Sequence, residues 1–273
     1  MSSPSPQIAW SFDPGALIVV AALGLLYLAA WRRARRPGEP HPPGYGRLTL
    51  FGSGLAVILI ALISPVDRLG EQLLMFHMVQ HVLLLDIAPI LLILGFTKTL
   101  LRPVTRRIHT LEQKAGPLAH PAAAVLLYAG FMWLWHIPAM YDAALNHSGV
   151  HALEHVCFGF AGGLYWWHLL SPIRSRMRLG GMGPVLYMIS TKLLVGILGI
   201  ALAFAPNAFY PFYEHHPHYW GLTPGEDQNL AGLIMALEQS IVMGIALVWL
   251  FVRMLAESER EAQREERFEI AQT

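Results

Sequence analysis

The sequence predicts an all-α membrane protein, a seven-transmembrane helix bundle with its N-terminus outside and its C-terminus in the cytoplasm. Three observations carry this. The 273 residues are 55% hydrophobic and only 14% charged, whereas a soluble domain carries about 25% charged residues. Seven apolar runs, at 14–31, 46–64, 71–95, 120–138, 149–170, 183–204 and 228–253, each meet the roughly 20-residue need of a bilayer-spanning helix. Lys and Arg alternate between the connecting loops, as the positive-inside rule requires.

The alternation can be followed along the chain. Loop 32–47 holds Arg32, Arg33, Arg35, Arg36 and Arg47, and the next loop only Arg68. Loop 96–119 holds Lys98, Arg102, Arg106, Arg107 and Lys114, and loop 139–148 has no Lys or Arg. Loop 171–182 has Arg174, Arg176 and Arg178, loop 205–227 has none, and the tail has Arg253, Arg260, Arg264 and Arg267. The first apolar run precedes its basic cluster, the reverse of a cleavable signal peptide, so it reads as a retained helix.

Each element has local support. Short loops place sequential helices antiparallel. Pro65, Pro103 and Pro172 fall at span ends, where proline is tolerated. Pro89 lies inside the third run and is expected to kink it or leave a carbonyl without a partner. Thr97–Leu111 reads as a basic interfacial helix. The division is one transmembrane domain over 1–256 and a charged cytoplasmic tail over 257–273, the tail a helix with salt-bridged faces.

One cysteine, Cys157, excludes a disulfide framework and a Cys-rich metal motif. The net charge of +1 gives no electrostatic footprint for nucleic acid. What stands out is histidine, 13 in all. With the orientation above, nine lie on the outer side: His77, His81, His136, His147, His151, His155, His215, His216 and His218. His41, His109, His120 and His168 lie on the inner side. His77 and His81 are one helical turn apart, and so are His151 and His155. Each pair leaves a single helix face, and ionisable residues inside a membrane mark functional sites by default. Two such pairs with His136 on the helix between can converge on a metal, as in other helix bundles.

Methionines accompany them. Met78 and Met235 are candidate ligands, while Met75, Met132 and Met243 read as packing. Imidazole with thioether suits Cu(I), and imidazole with carboxylate suits Zn(II) or Cu(II). Asp227 either caps the seventh helix or orients a metal-bound imidazole. Glu154 reads as facing away from His151, a supporting or capping group rather than a ligand. Lys192 and Glu238 fall near mid-span on the sixth and seventh helices and are expected to pair, with Asp86 in the third run.

Four stretches then carry a resemblance: HMVQHVLLLDIAPILLILG at 77–95, WHIPAMYDAAL at 135–145, HALEHVCFGFAGGLYWW at 151–167 and DQNLAGLIM at 227–235. In this combination and order the chain resembles the CtaG family of cytochrome c oxidase assembly factors, the multispan type associated with caa-type oxidases. Ile90 and Ala236 stand where the family often has a proline and an aromatic. The resemblance implies a multi-pass protein of the bacterial plasma membrane, a non-enzymatic assembly chaperone that helps mature an oxidase and handles copper for it. It implies oxidase subunits as partners within the lipid bilayer, with periplasmic copper chaperones as donors. The family-typical positions are His77, His81, His136, His151, His155 and the Asp227–Gln228 pair. The alternative from the residues alone is an intramembrane zinc hydrolase using the HxxxH pairs, with Glu154 or Asp227 as base. A bis-histidine haem protein and a purely structural chaperone are further alternatives.

Overall fold

The computed structural model describes residues 4–173 and 179–270, with the backbone alone at positions 257, 261, 265, 268 and 269. Arg174, Arg176 and Arg178, counted above for loop 171–182, lie outside the described residues. Most of the described residues are helical, with no strand among them.

Helix α1 (Pro14–Ala34) starts at Asp13, whose carboxylate accepts from the Ala16 N–H, with proline in the first turn. Such caps satisfy a donor that the helix cannot. Helix α2 (Tyr45–Ile63) ends because Pro65 forces Ser64 into extended backbone. Ser64 then caps the short helix Pro65–Gly70. Helix α3 (Leu74–Gly95) is the centre of the molecule. Its apolar window is 56% buried by protein, against 22% for α1 and for α2. Helix α4 (Lys98–Ala115) is amphipathic and carries the basic residues, with Pro103 inside it rather than at a span end. Helices α5 (Pro121–Trp135), α6 (Pro138–Asn146), α7 (Ser148–Leu170), α8 (Gly183–Phe204) and α9 (Pro224–Ile270) follow.

Seven of these helices sit on the seven apolar runs. By length and apolarity five are candidate spans, α1, α2, α3, α8 and α9, and the bent unit of Lys98–Ala119 with Pro121–Trp135 makes a sixth. The bend there is 66°. Helix α5 alone is 15 residues, roughly 22 Å at 1.5 Å per residue. Helix α7 has 23 residues but carries His151, Glu154, His155 and His168, which lower its hydropathy. Helix α9 has 47 residues, about 70 Å, and runs through position 256 without a break. Positions 257–270 of the charged tail thus continue it.

The proline at 89 acts through a wide turn. Residues Leu83–Ile87 form a π turn in which the Ala88 N–H reaches the Leu83 carbonyl. Pro89 has no N–H to give Leu85, four residues earlier. The widened turn accommodates the ring, and the helix continues. Gly162 of α7 fills the space beside the Leu85 carbonyl; a Cβ there would collide with that oxygen. In a membrane, where apolar burial does not drive helix association, small residues allow such close crossings. Helices α8 and α9 use the same device at Gly232, where a Cβ would meet the Ala203 backbone.

The main core gathers Tyr128, Phe158, Tyr165 and Trp166 around Met78 and Leu85. A smaller one joins α1 to α2 and α4 through Tyr27, Trp31, Phe51 and Leu100. The Tyr27 hydroxyl donates to the Gly95 carbonyl at 2.9 Å, tying α1 to the end of α3.

Candidate metal centre

The crossing of α3 and α7 places the histidines. Counting back from Leu85, His81 and His77 lie one and two turns away on α3. Counting back from Gly162, His155 and His151 lie seven and eleven residues away, near whole numbers of turns, so all three share a face of α7. Helices held together at Gly162 and Leu85 therefore meet again at these four imidazoles. The rings of His77 and His151 stack at 5.3 Å, those of His77 and His81 lie 4.3 Å apart, and those of His151 and His155 lie 4.2 Å apart.

Glu154 sits at the middle. It is fully buried, and one oxygen lies 3.5 Å from His77 Nε2 while the other lies 3.4 Å from His81 Nε2. Neither separation is accompanied by hydrogen-bond geometry. Both Glu154 oxygens, both ring nitrogens of His77 and of His81, and the Nε2 atoms of His151 and His155 have no hydrogen-bond partner. Native interiors pair almost all such groups, and a buried carboxylate without a counter-charge costs several kcal/mol, roughly. So many unpaired nitrogens and oxygens gathered around one buried carboxylate are an arrangement that bound cations resolve. Two groups have ligand atoms within 4.8 Å of one another: His77, His151 and Glu154; and His81, His155 and Glu154.

The expectation for Glu154 is therefore corrected. It does not face away from His151. Residues three apart share a helix face just as residues four apart do, and that spacing in HALEH was the signal for it.

His136 stands beside this group. Its Nδ1 lies 2.7 Å from the Met132 carbonyl, and its Nε2 lies 3.3 Å from Met78 Sδ. A carbonyl only accepts, so Nδ1 carries the proton and donates. In neutral imidazole Nε2 then has a lone pair facing the thioether, a nitrogen–sulfur pair suited to a soft ion. The His136 and His81 rings lie 5.9 Å apart. Met235 is buried but lies deeper, lining a gap of about 10 Å³ with Met78, His81, Met132, Asp86 and Glu238. That volume is about that of a single water probe.

Asp227 lies apart from the cluster. Its two oxygens accept from the backbone N–H groups of Leu74 at 2.6 Å and Met75 at 3.0 Å. It caps α3, not the seventh helix it belongs to. Gln228 next to it accepts from the Phe209 N–H at 2.6 Å and donates to the Asn207 carbonyl at 3.2 Å. The pair thus pins the start of α3 and the loop before α9. Tyrosines cover the cluster from that side: Tyr141 lies 4.9 Å from the His77 ring, and its hydroxyl meets that of Tyr213 at 3.1 Å. Tyr210 donates to the His136 carbonyl at 3.2 Å.

The Lys192–Glu238 pair is also corrected. Lys192 is exposed on α8, while Glu238 is turned inward and lines the same gap as Asp86. Asp86 accepts from the Tyr128 hydroxyl at 2.8 and 2.9 Å and from the Trp166 N–H at 2.7 Å. Gln239 donates to the Tyr128 hydroxyl at 3.2 Å. Period and depth revealed which residues lie inside the bundle, but not which faces of α3, α8 and α9 meet.

Comparison with known proteins gives this geometry a family. The chain is 25% identical over 281 residues to the uncharacterized protein ML1998 of Mycobacterium leprae (strain TN), covering 94% of this chain and 41% of that protein. It is 26% identical over 277 residues to the uncharacterized protein Mb0105 of Mycobacterium bovis, with the same coverage. The chain thus spans about two fifths of the length of these curated relatives. No solved structure matches it. The family described as "Cytochrome c oxidase caa3 assembly factor (Caa3_CtaG)" matches residues 25–257, taking in α2 to α8 whole and every member of the His/Glu cluster, and the chain belongs to that family.

Proposed function

We propose that this protein is an assembly factor for a caa3-type cytochrome c oxidase and that it binds copper, as Cu(I), at the His/Glu cluster for delivery to the oxidase. The observation that carries the reading is the set of buried, unpartnered nitrogens and oxygens around Glu154. Imidazole donors without thiols suit copper handling on the oxidising side of a membrane, where cysteines form disulfides. The nitrogen–sulfur pair of His136 and Met78 beside the cluster favours Cu(I) over zinc. Tyr141, Tyr210 and Phe158 occupy the space around the imidazoles, which suits an ion more than a hydrolase substrate. His151 and His155 are only partly buried and provide the edge through which an ion exchanges.

The topology belongs to the same proposal. Seven spans, with the N-terminus outside and the C-terminus in the cytoplasm, place the cluster in the outer half of a bacterial plasma membrane. Copper then arrives from an extracytoplasmic donor and leaves toward oxidase subunits.

The test is complementation. In cells lacking the gene and supplied with His77→Ala/His81→Ala, the oxidase is expected to lose its copper-dependent spectrum and activity while the protein still reaches the membrane. A fully assembled oxidase in those cells would contradict the proposal.

A further inference from the structure

Glu154 and the four histidines around it do not form one ligand shell. They divide into two groups that share only the carboxylate. One Glu154 oxygen lies on the His77 side at 3.5 Å, and the other on the His81 side at 3.4 Å. His151 belongs with the first and His155 with the second. An ion held at about 2.0–2.2 Å from nitrogen and oxygen needs ligand atoms within roughly 4.4 Å of one another. Each group is close to that condition. The five together are not brought within 4.8 Å as one set, so a single ion on either side leaves two imidazoles unsatisfied.

We infer that the centre holds two metal ions bridged by Glu154, one bound by His77 and His151 and the other by His81 and His155. The inference rests on the metal-binding reading above and deepens it. The helices explain the symmetry. Each of α3 and α7 contributes an i, i+4 histidine pair, and their close crossing at Gly162 and Leu85 sets the pairs side by side. Each ion takes one imidazole from each helix. Glu154, between His151 and His155 in sequence, presents one oxygen to each level.

Charge limits the occupants. One carboxylate reduces two monovalent ions to a net charge of +1, but two divalent ions to +3. The surroundings of the cluster include the buried neutral side chains Tyr141, Phe158 and Met78, so monovalent Cu(I) is the better fit there. The function that follows is loading of two ions in one docking event.

The test is stoichiometry on the full chain in detergent, loaded anaerobically with Cu(I) alone and desalted. The expected result is two copper per chain, falling to one in His77→Ala/His151→Ala and to one in His81→Ala/His155→Ala. X-ray absorption on the loaded wild type, which needs no variant, should show a copper–copper vector of about 3–4 Å. One copper per chain, or two without that vector, overturns the two-ion centre and leaves the metal-binding reading standing. No copper overturns both. Two copper per chain unchanged in both folded variants places the ions elsewhere and also overturns both.

Discussion

Gly162 packs against the carbonyl oxygen of Leu85 with no room for a Cβ between them. This contact spaces the two helices that carry the histidine pairs. It depends on two sequence features: Pro89, which deprives that carbonyl of its helical partner, and a glycine at the crossing. Gly162→Ala should force α7 away from α3. Overpacking of this kind costs about 1–3 kcal/mol. The expected outcome is a lower melting temperature in detergent together with reduced copper retention. Unchanged copper retention would separate the crossing from the site.

Asp227 and the cluster should respond independently. Removing a helix cap costs about 0.5–2 kcal/mol, so Asp227→Ala should lower stability by that order. Its oxygens are committed to the backbone N–H groups of Leu74 and Met75 at the start of α3, so copper stoichiometry should hold. Thermal unfolding and metal content of the same sample check both, and a proportionate copper loss would make Asp227 a ligand.

Tyr128 tests the inner network. Tyr128→Phe deletes the hydroxyl that Asp86 and Gln239 share. A buried acceptor stripped of a donor costs about 1–3 kcal/mol. The variant should unfold earlier while keeping its copper, because the network lies below the cluster. Equal stability would show that Trp166 alone satisfies Asp86.

Asp67 gives a pH signature outside the spanning helices. Burial holds its carboxyl above the ordinary value of 3.8, with Ser11 and Gln80 hydrogen bonds opposing the rise. The folded protein therefore binds that proton more tightly than the unfolded chain. Its contribution to stability is fully present below the unfolded value and is lost as pH rises through the folded one. Asp67→Asn should remove this decline, giving a melting temperature that falls less than wild type between acidic and neutral pH. Parallel curves would contradict the assignment.

The sequence revealed the frame of the molecule more readily than its interior contacts. Seven apolar runs predicted seven helices in the right places, and the HxxxH spacing predicted faces that do meet. Glu154 was expected to face away from His151, although the three-residue spacing that puts it on the same face was there in the sequence. Asp227 was legible only as a cap, because nothing local shows that it caps a helix 153 residues away in sequence. Glu238 faces the gap beside Asp86 rather than Lys192 because helix rotation, set by contacts such as Gly232 against Ala203, decides which mid-span groups meet. The π turn was foreshadowed by Pro89, but a proline alone does not distinguish a kink from a widened turn.

The most direct measurement is metal content of the purified protein after anaerobic Cu(I) loading and desalting, wild type beside His77→Ala/His81→Ala. The substitutions take one imidazole from each half of the cluster. Copper retained by the wild type and lost by the folded variant is the predicted result. Equal copper in the two, or none in either, would contradict a metal centre built on these histidines.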